Sequence, residues 1–223
     1  MRYLNLHTHV QTGNPDVLEL VNQYPDAFDE SIAYFSIGVH PWRINENRLQ
    51  SDLAFLESKL SDGKCLAIGE CGLDKRIEVP LELQLEVFEV QLLLAEKFRK
   101  PVTVHCVAAY QEVIETRKRM GISVPMIIHG FSKNEQVAKS LVDNGFFLSF
   151  GKWLLRNPEL KTALVSVPDD RFFLETDTAE ESIAQVYELA ANYKNVELAT
   201  LKENLSRNFE QVFNMAFPKQ SAG

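Results

Sequence analysis

Five histidines and two carboxylates frame the chemistry open to this chain. His7, His9, His40, His105 and His129 are its only histidines, and each follows or ends a short apolar run of the kind that forms a strand. Glu70 stands in the same relation to Cys65–Gly69, and Asp177 to Phe172–Thr176. His7 and His9 are two residues apart; strand side chains alternate, so both imidazoles point to one face and can reach one ion. Neutral imidazole suits Zn, Fe, Ni and Cu, whereas carboxylate suits Mg and Mn. His7, His9, His105 and His129 with Glu70 and Asp177 are too many ligands for one catalytic zinc, which takes about three protein ligands plus water. The set fits two ions bridged by a carboxylate, about 3.5–4 Å apart. Each residue alone has a plainer reading. A strand-end carboxylate can cap the following loop or helix. His40-Pro41-Trp42 is equally a turn with a packed aromatic or a substrate contact, and Lys133 and Lys152 are most often simply solvated.

The elements that would position these residues read as alternating strands and helices. Apolar runs at Tyr3–Leu6, Val17–Val21, Ala33–Val39, Cys65–Ile68, Val102–Val104, Met126–Ile128, Phe146–Phe150 and Phe172–Leu174 are near-continuous, as in strands covered on both faces. Leu81, Leu85, Phe88, Leu92 and Ala95 share one helix face, and Pro101 closes that helix. Ser132 with Glu135, and Thr178 with Glu181, have capping-box spacing before further helical stretches. Ala108–Met120 ends at Gly121, a residue suited to a helix C-terminus, and Asn45–Leu60 is another helix candidate. Eight strands alternating with helices predict an α/β fold, a (β/α)8 TIM barrel forming one domain over residues 1–223. The stretch Val10–Ser31 is too short for a strand between two full helices, so the first crossover is expected to be reduced to a loop. The rival doubly wound sheet lacks its fingerprint, since no GxGxxG follows the first strand. In a (β/α)8 barrel the active site is built at the C-terminal ends of the strands, where all seven residues fall.

Composition narrows the class. The chain has 223 residues, 45% of them apolar, and 23 basic against 31 acidic side chains give a net charge of −8. No global field attracts nucleic acid, so a phosphate substrate would depend on local cations. Three cysteines, Cys65, Cys71 and Cys106, are an odd number without a CxxC pair, which speaks for a reducing compartment rather than a disulfide framework. Met1–Val10 is too short and polar for a signal-peptide core, and no apolar run approaches the ~20 residues of a membrane span. The expected location is cytoplasmic.

The motifs, taken in order, resemble those of the TatD-related family of metal-dependent hydrolases, the TatD-type deoxyribonucleases. They are His7-Thr-His9, Gly38-Val-His40-Pro41, Ile68-Gly-Glu70-Cys-Gly-Leu-Asp74, Pro101-Val-Thr-Val-His105, His129-Gly-Phe-Ser132, Glu175-Thr-Asp177, and Glu203-Asn204 with Asn208-Phe209. The resemblance covers nearly the whole chain. It implies a (β/α)8 barrel holding two divalent ions (Zn, Mn, Mg, Fe or Ni) that cleaves phosphodiesters in DNA by metal-activated water. His7, His9 and Asp177 resemble ligands of the first ion, Glu70 the bridging carboxylate, and His105 and His129 ligands of the second. Asp177 would also orient or deprotonate the attacking water, and His40 would lie near the substrate phosphate.

Some positions depart from the family pattern. Asn5 stands where many members have Asp, Lys75 where an aromatic is common, and Cys106-Val107-Ala108 where a basic residue is common. Lys133-Asn134 follows Ser132 in place of the usual small residue, and no Pro follows Thr176-Asp177. The expected function is a deoxyribonuclease acting on single-stranded or frayed DNA, with no membrane and no obligate protein partner. Trp42 or Trp153 would stack a base, and Lys133 or Lys152 would hold a phosphate. The alternatives are a metal-dependent hydrolase of an amide, ester or lactone in a small metabolite, and a barrel that binds nucleic acid or protein without turnover.

Overall fold

The computed structural model describes residues 2–218, so the extreme ends of the expected 1–223 domain lie outside the described residues. Its strands are β1 (Tyr3–Thr8), β2 (Val17–Gln23), β3 (Phe35–Ile37), β4 (Cys65–Asp74), β5 (Val102–Val107), β6 (Met126–Ile128), β7 (Phe147–Phe150) and β8 (Phe172–Leu174). They form one eight-stranded sheet in chain order. The pairs β1–β2, β3–β4, β4–β5, β5–β6 and β7–β8 are parallel. The helices are α1 (Leu49–Lys59), α2 (Leu81–Phe98), α3 (Tyr110–Met120), α4 (Glu135–Asp143), α5 (Lys152–Arg156), α6 (Leu160–Ser166), α7 (Ile183–Lys194) and α8 (Leu198–Phe213). This alternation is the (β/α)8 fold class expected from the sequence. The first crossover has no helix, as expected, and the second carries only a 3-10 turn at Pro25–Ala27.

Several local expectations are corrected. α4 starts from Asn134, not from a Ser132–Glu135 box: Asn134 is extended, and its side-chain oxygen accepts the Val137 N–H at 3.1 Å. α7 starts from a capping box of Ser182 and Gln185 rather than Thr178 and Glu181. The Thr178 hydroxyl instead accepts from the Lys152 ammonium at 2.9 Å. β4 and β5 run past the apolar cores Cys65–Ile68 and Val102–Val104 through the chemistry-bearing residues. α8 was hidden in the sequence because Asn208 sits on its buried face with Leu201, Leu205, Phe209 and Val212. The Asn208 amide donates to the carbonyls of Asp169 (2.8 Å) and Phe172 (3.0 Å), which satisfies it there.

The chain divides into two compact units, one gathering the segments up to Val21 and from His129 onward, the other spanning Asn22–Ile128. In the first, Tyr187 of α7 is fully buried against β1; its hydroxyl donates to Leu4 O and accepts from Leu4 N–H. Thr8 bridges Asp177, joining β1 to the segment after β8. In the second, Val87, Phe88, Leu92 and Ala95 of α2 are buried, and Phe28 meets Phe35 and Phe55 edge-on. β4 and β5 approach so closely at Gly72 that a Cβ there would stand 2.0 Å from His105 O, with φ at +144°. Only glycine fits both the space and that dihedral.

Candidate metal centre

Within the first unit, His7 is the fifth residue of β1 and His9 follows its end. His129 comes directly after β6 and Asp177 shortly after β8. Donor atoms of His7, His129 and Asp177 lie within 4.8 Å of one another. Asp177 Oδ1 is 3.3 Å from His9 Nε2 and 3.8 Å from His7 Nε2. The backbone holds this alignment: Asp177 N–H donates to His7 O at 2.9 Å, and His9 N–H to Asp177 O at 3.3 Å. Asn5 secures the same register, its amide donating to Thr176 Oγ1 (2.8 Å) and its carbonyl accepting Thr176 N–H (2.9 Å). An amide offers both the donor and the acceptor that this pairing uses.

Lys152, at the start of α5, places its ammonium on the other oxygen of Asp177 and on Thr178 Oγ1. Gly151 makes the approach possible, because a Cβ there would come within 2.7 Å of Glu175 O. Burial works to raise the Asp177 pKa. The His9 hydrogen bond, the nearby His7 and His129 rings and the Lys152 ammonium outweigh it and hold the carboxyl well below the usual range. Behind His129, the fully buried Glu175 has Oε1 3.4 Å from His129 Nδ1, and the same oxygen accepts Gly130 N–H at 2.8 Å.

Within the second unit, donor atoms of His40, Glu70 and His105 also lie within 4.8 Å of one another. Glu70 Oε1 is 3.1 Å from His40 Nε2 and 2.7 Å from His105 Nδ1. The Glu70 N–H donates to Asn22 Oδ1 at 2.6 Å. α2 braces this cluster from two positions seven residues apart, which share a helix face. Gln91 bonds both backbone groups of Val39, next to His40, at 2.8 and 3.1 Å. Gln84 does the same to Asp74 at 2.8 and 3.0 Å. Trp42 is 64% exposed, yet its indole N–H donates to Asp74 Oδ2 at 2.7 Å.

The expected residues thus gather as His7, His9, His129, Asp177 and Lys152 in one unit, and as His40, Glu70, His105 and Trp42 in the other. Lys133 is half-buried between β6 and α4. Trp153 is 43% exposed, with the Lys152 ammonium 5.9 Å from its ring centroid. Sequence reasoning gave no role to Asp74 or Glu175, although both stand inside the motifs it singled out; each lies behind a histidine. Imidazole and carboxylate oxygens in this mixture are a donor set for Zn, Mn, Fe or Ni, so the residues present fit divalent ions.

Sheet order and donor clusters are those of a metal-dependent hydrolase of (β/α)8 class. A family model described as TatD related DNase matches residues 2–214, and the chain belongs to that family. An uncharacterized metal-dependent hydrolase of Haemophilus influenzae is 30% identical over 209 residues, covering 84% of this chain and 79% of the relative. A protein of Edwardsiella piscicida named 3'-5' ssDNA/RNA exonuclease TatD is 28% identical, covering 92% and 85%. The crystal structure of a TatD homologue from Escherichia coli K12 superposes with a TM-score of 0.83 at 21% identity, covering 96% of this chain and 98% of that one. Among the described residues no helix is long and apolar enough to cross a membrane.

Proposed function

We propose that this hydrolase cleaves phosphodiester bonds in single-stranded or frayed DNA and uses two divalent ions to do so. The observation that carries the reading is the convergence of His7, His129 and Asp177 donors within 4.8 Å in a chain of this family. His7, His9 and Asp177 would hold one ion, His105 and His129 would serve the other, and Glu70 would give its carboxylate to both. When bound, such ions lower the pKa of water and offset charge on a phosphoryl group. Asp177, which stands ionised near neutral pH, would orient the attacking water or accept its proton. Lys152, anchored on Asp177 and Thr178, offers an ammonium to a substrate phosphate, and Lys133 is a further candidate for that contact. His40, beside Glu70, would lie near that phosphate. The exposed Trp42 offers a face on which a base can stack, a contact worth ~1–3 kcal/mol.

The names of relatives that act on single strands support the substrate class. Three buried free cysteines agree with a cytoplasmic setting. The test is chelation and add-back of Zn, Mn or Mg, followed by assay on single-stranded DNA, duplex DNA, phosphomonoesters, and small amides and lactones. Restored cleavage of single strands is the expected result. Activity that survives chelation would end the metal reading, and turnover confined to amides or lactones would move the substrate to a small metabolite.

A further inference from the structure

We propose that Asp74 is a positioning residue that holds the His105 ring from behind and presents its Nδ1 edge to Glu70. The inference rests on the reading of Glu70 and His105 as ligands of a divalent ion. His105 lies between two carboxylates, with Nδ1 2.7 Å from Glu70 Oε1 and Nε2 3.4 Å from Asp74 Oδ2. Neutral imidazole has one lone pair and one proton. An ion shared with Glu70 takes the lone pair on the edge that faces Glu70, which is Nδ1. The proton then belongs on Nε2, and the acceptor there is Asp74. A ligating histidine whose far nitrogen donates to a carboxylate is fixed in tautomer and orientation and is a more basic ligand.

Asp74 is built to stay in place. It is 2% exposed, at the end of β4. Oδ1 accepts the Arg76 N–H at 2.8 Å, Oδ2 accepts the Trp42 indole N–H at 2.7 Å, and Gln84 holds both of its backbone groups. With both oxygens engaged the carboxylate has little freedom to turn away from His105. The oxygen that takes the indole proton is the one that faces His105, so the aromatic face at the surface and the ring beneath it share an anchor. The Trp42 and His105 rings stand edge to face, with centroids 5.8 Å apart. A carboxylate that merely closed the turn at Asp74–Arg76 would need only Oδ1.

The deciding experiment is zinc titration of the full chain by calorimetry, with NMR of the zinc-loaded protein. Asp74→Asn keeps an oxygen for the turn but removes the charge behind His105. Zinc affinity at one site is expected to fall ~10–100-fold, and the His105 Nε2 proton is expected to lose its protection from exchange. Parent-like affinity and a protected ring proton in Asp74→Asn would overturn the assignment. A parent chain that takes up no zinc would overturn the ligand reading itself, and this inference with it.

Discussion

His40 donates to Glu70. The Trp42 backbone N–H points at His40 Nδ1 at 3.0 Å, so Nδ1 carries the lone pair. The ring proton is therefore on Nε2, 3.1 Å from Glu70 Oε1. His40 thus meets the proposed centre through the carboxylate rather than as an open ligand.

That relation sharpens what His40→Ala should do. A hydrogen bond to a charged group contributes ~1.5–3 kcal/mol. Removing the donor should weaken divalent-ion binding about tenfold, the low end of that range. The ion should still bind at saturating concentration, and KM for DNA should rise. Calorimetric metal titration alongside steady-state kinetics separates the two effects; unchanged ion affinity would show that Glu70 does not depend on this donor.

Asp177→Asn should lower kcat on single-stranded DNA by ~10²-fold or more, the contribution typical of a positioned base. Asp177 has φ of 55°, a left-handed conformation that Asn tolerates well among non-glycine residues. The variant should therefore keep its circular dichroism spectrum and differ little in thermal midpoint. A fully active Asn variant would remove Asp177 from the proton-transfer role.

Asp26 lends itself to a pH test of stability away from the candidate ligands. Its carboxylate pairs with Arg43 at 2.8 Å and Arg48 at 2.7 Å, tying the 3-10 turn before β3 to the loop that follows His40. Burial raises its pKa, but the Arg43 hydrogen bond and the two guanidinium charges outweigh this, so the folded value lies below the ordinary one. The stabilisation is therefore full above the ordinary Asp pKa and is lost as pH falls through the lowered folded value. Asp26→Asn should cost about 1 kcal/mol at pH 7, and the gap from the parent should close as the pH drops into the acid range. Urea unfolding at several pH values measures it.

Gly72→Ala should cost about 4 kcal/mol or more, because the added methyl meets the His105 carbonyl and the dihedral disfavours any side chain. Gly63→Ala is the control, since nothing lies within 4 Å of its Cβ position. Soluble yield and chemical unfolding of the pair would expose a misjudged close approach.

The gathering of polar residues could be read in advance because the histidines and carboxylates are few and end apolar runs, and this fold class builds its sites at strand ends. The helix starts could not be read as well. Thr178-Ala-Glu-Glu181 and Ser182-Ile-Ala-Gln185 carry adjacent, competing capping signals. The choice between them fell to a tertiary contact, the Lys152 ammonium on the Thr178 hydroxyl. α8 escaped for a related reason: a buried asparagine breaks the apolar stripe unless its backbone partners are known. Asp74 and Glu175 were visible as letters in motifs, but their places behind His105 and His129 depend on side-chain directions that spacing does not encode.

The bridge between Thr8 and Asp177 also bears on how the chain comes to be made. During synthesis His7 and His9 emerge well before the segment whose backbone groups align them. Such a long-range pairing is costly in loop closure and slow to form. A ribosome-bound fragment therefore holds a ladder with one rail missing, and the enzyme cannot switch on before translation has passed Asp177.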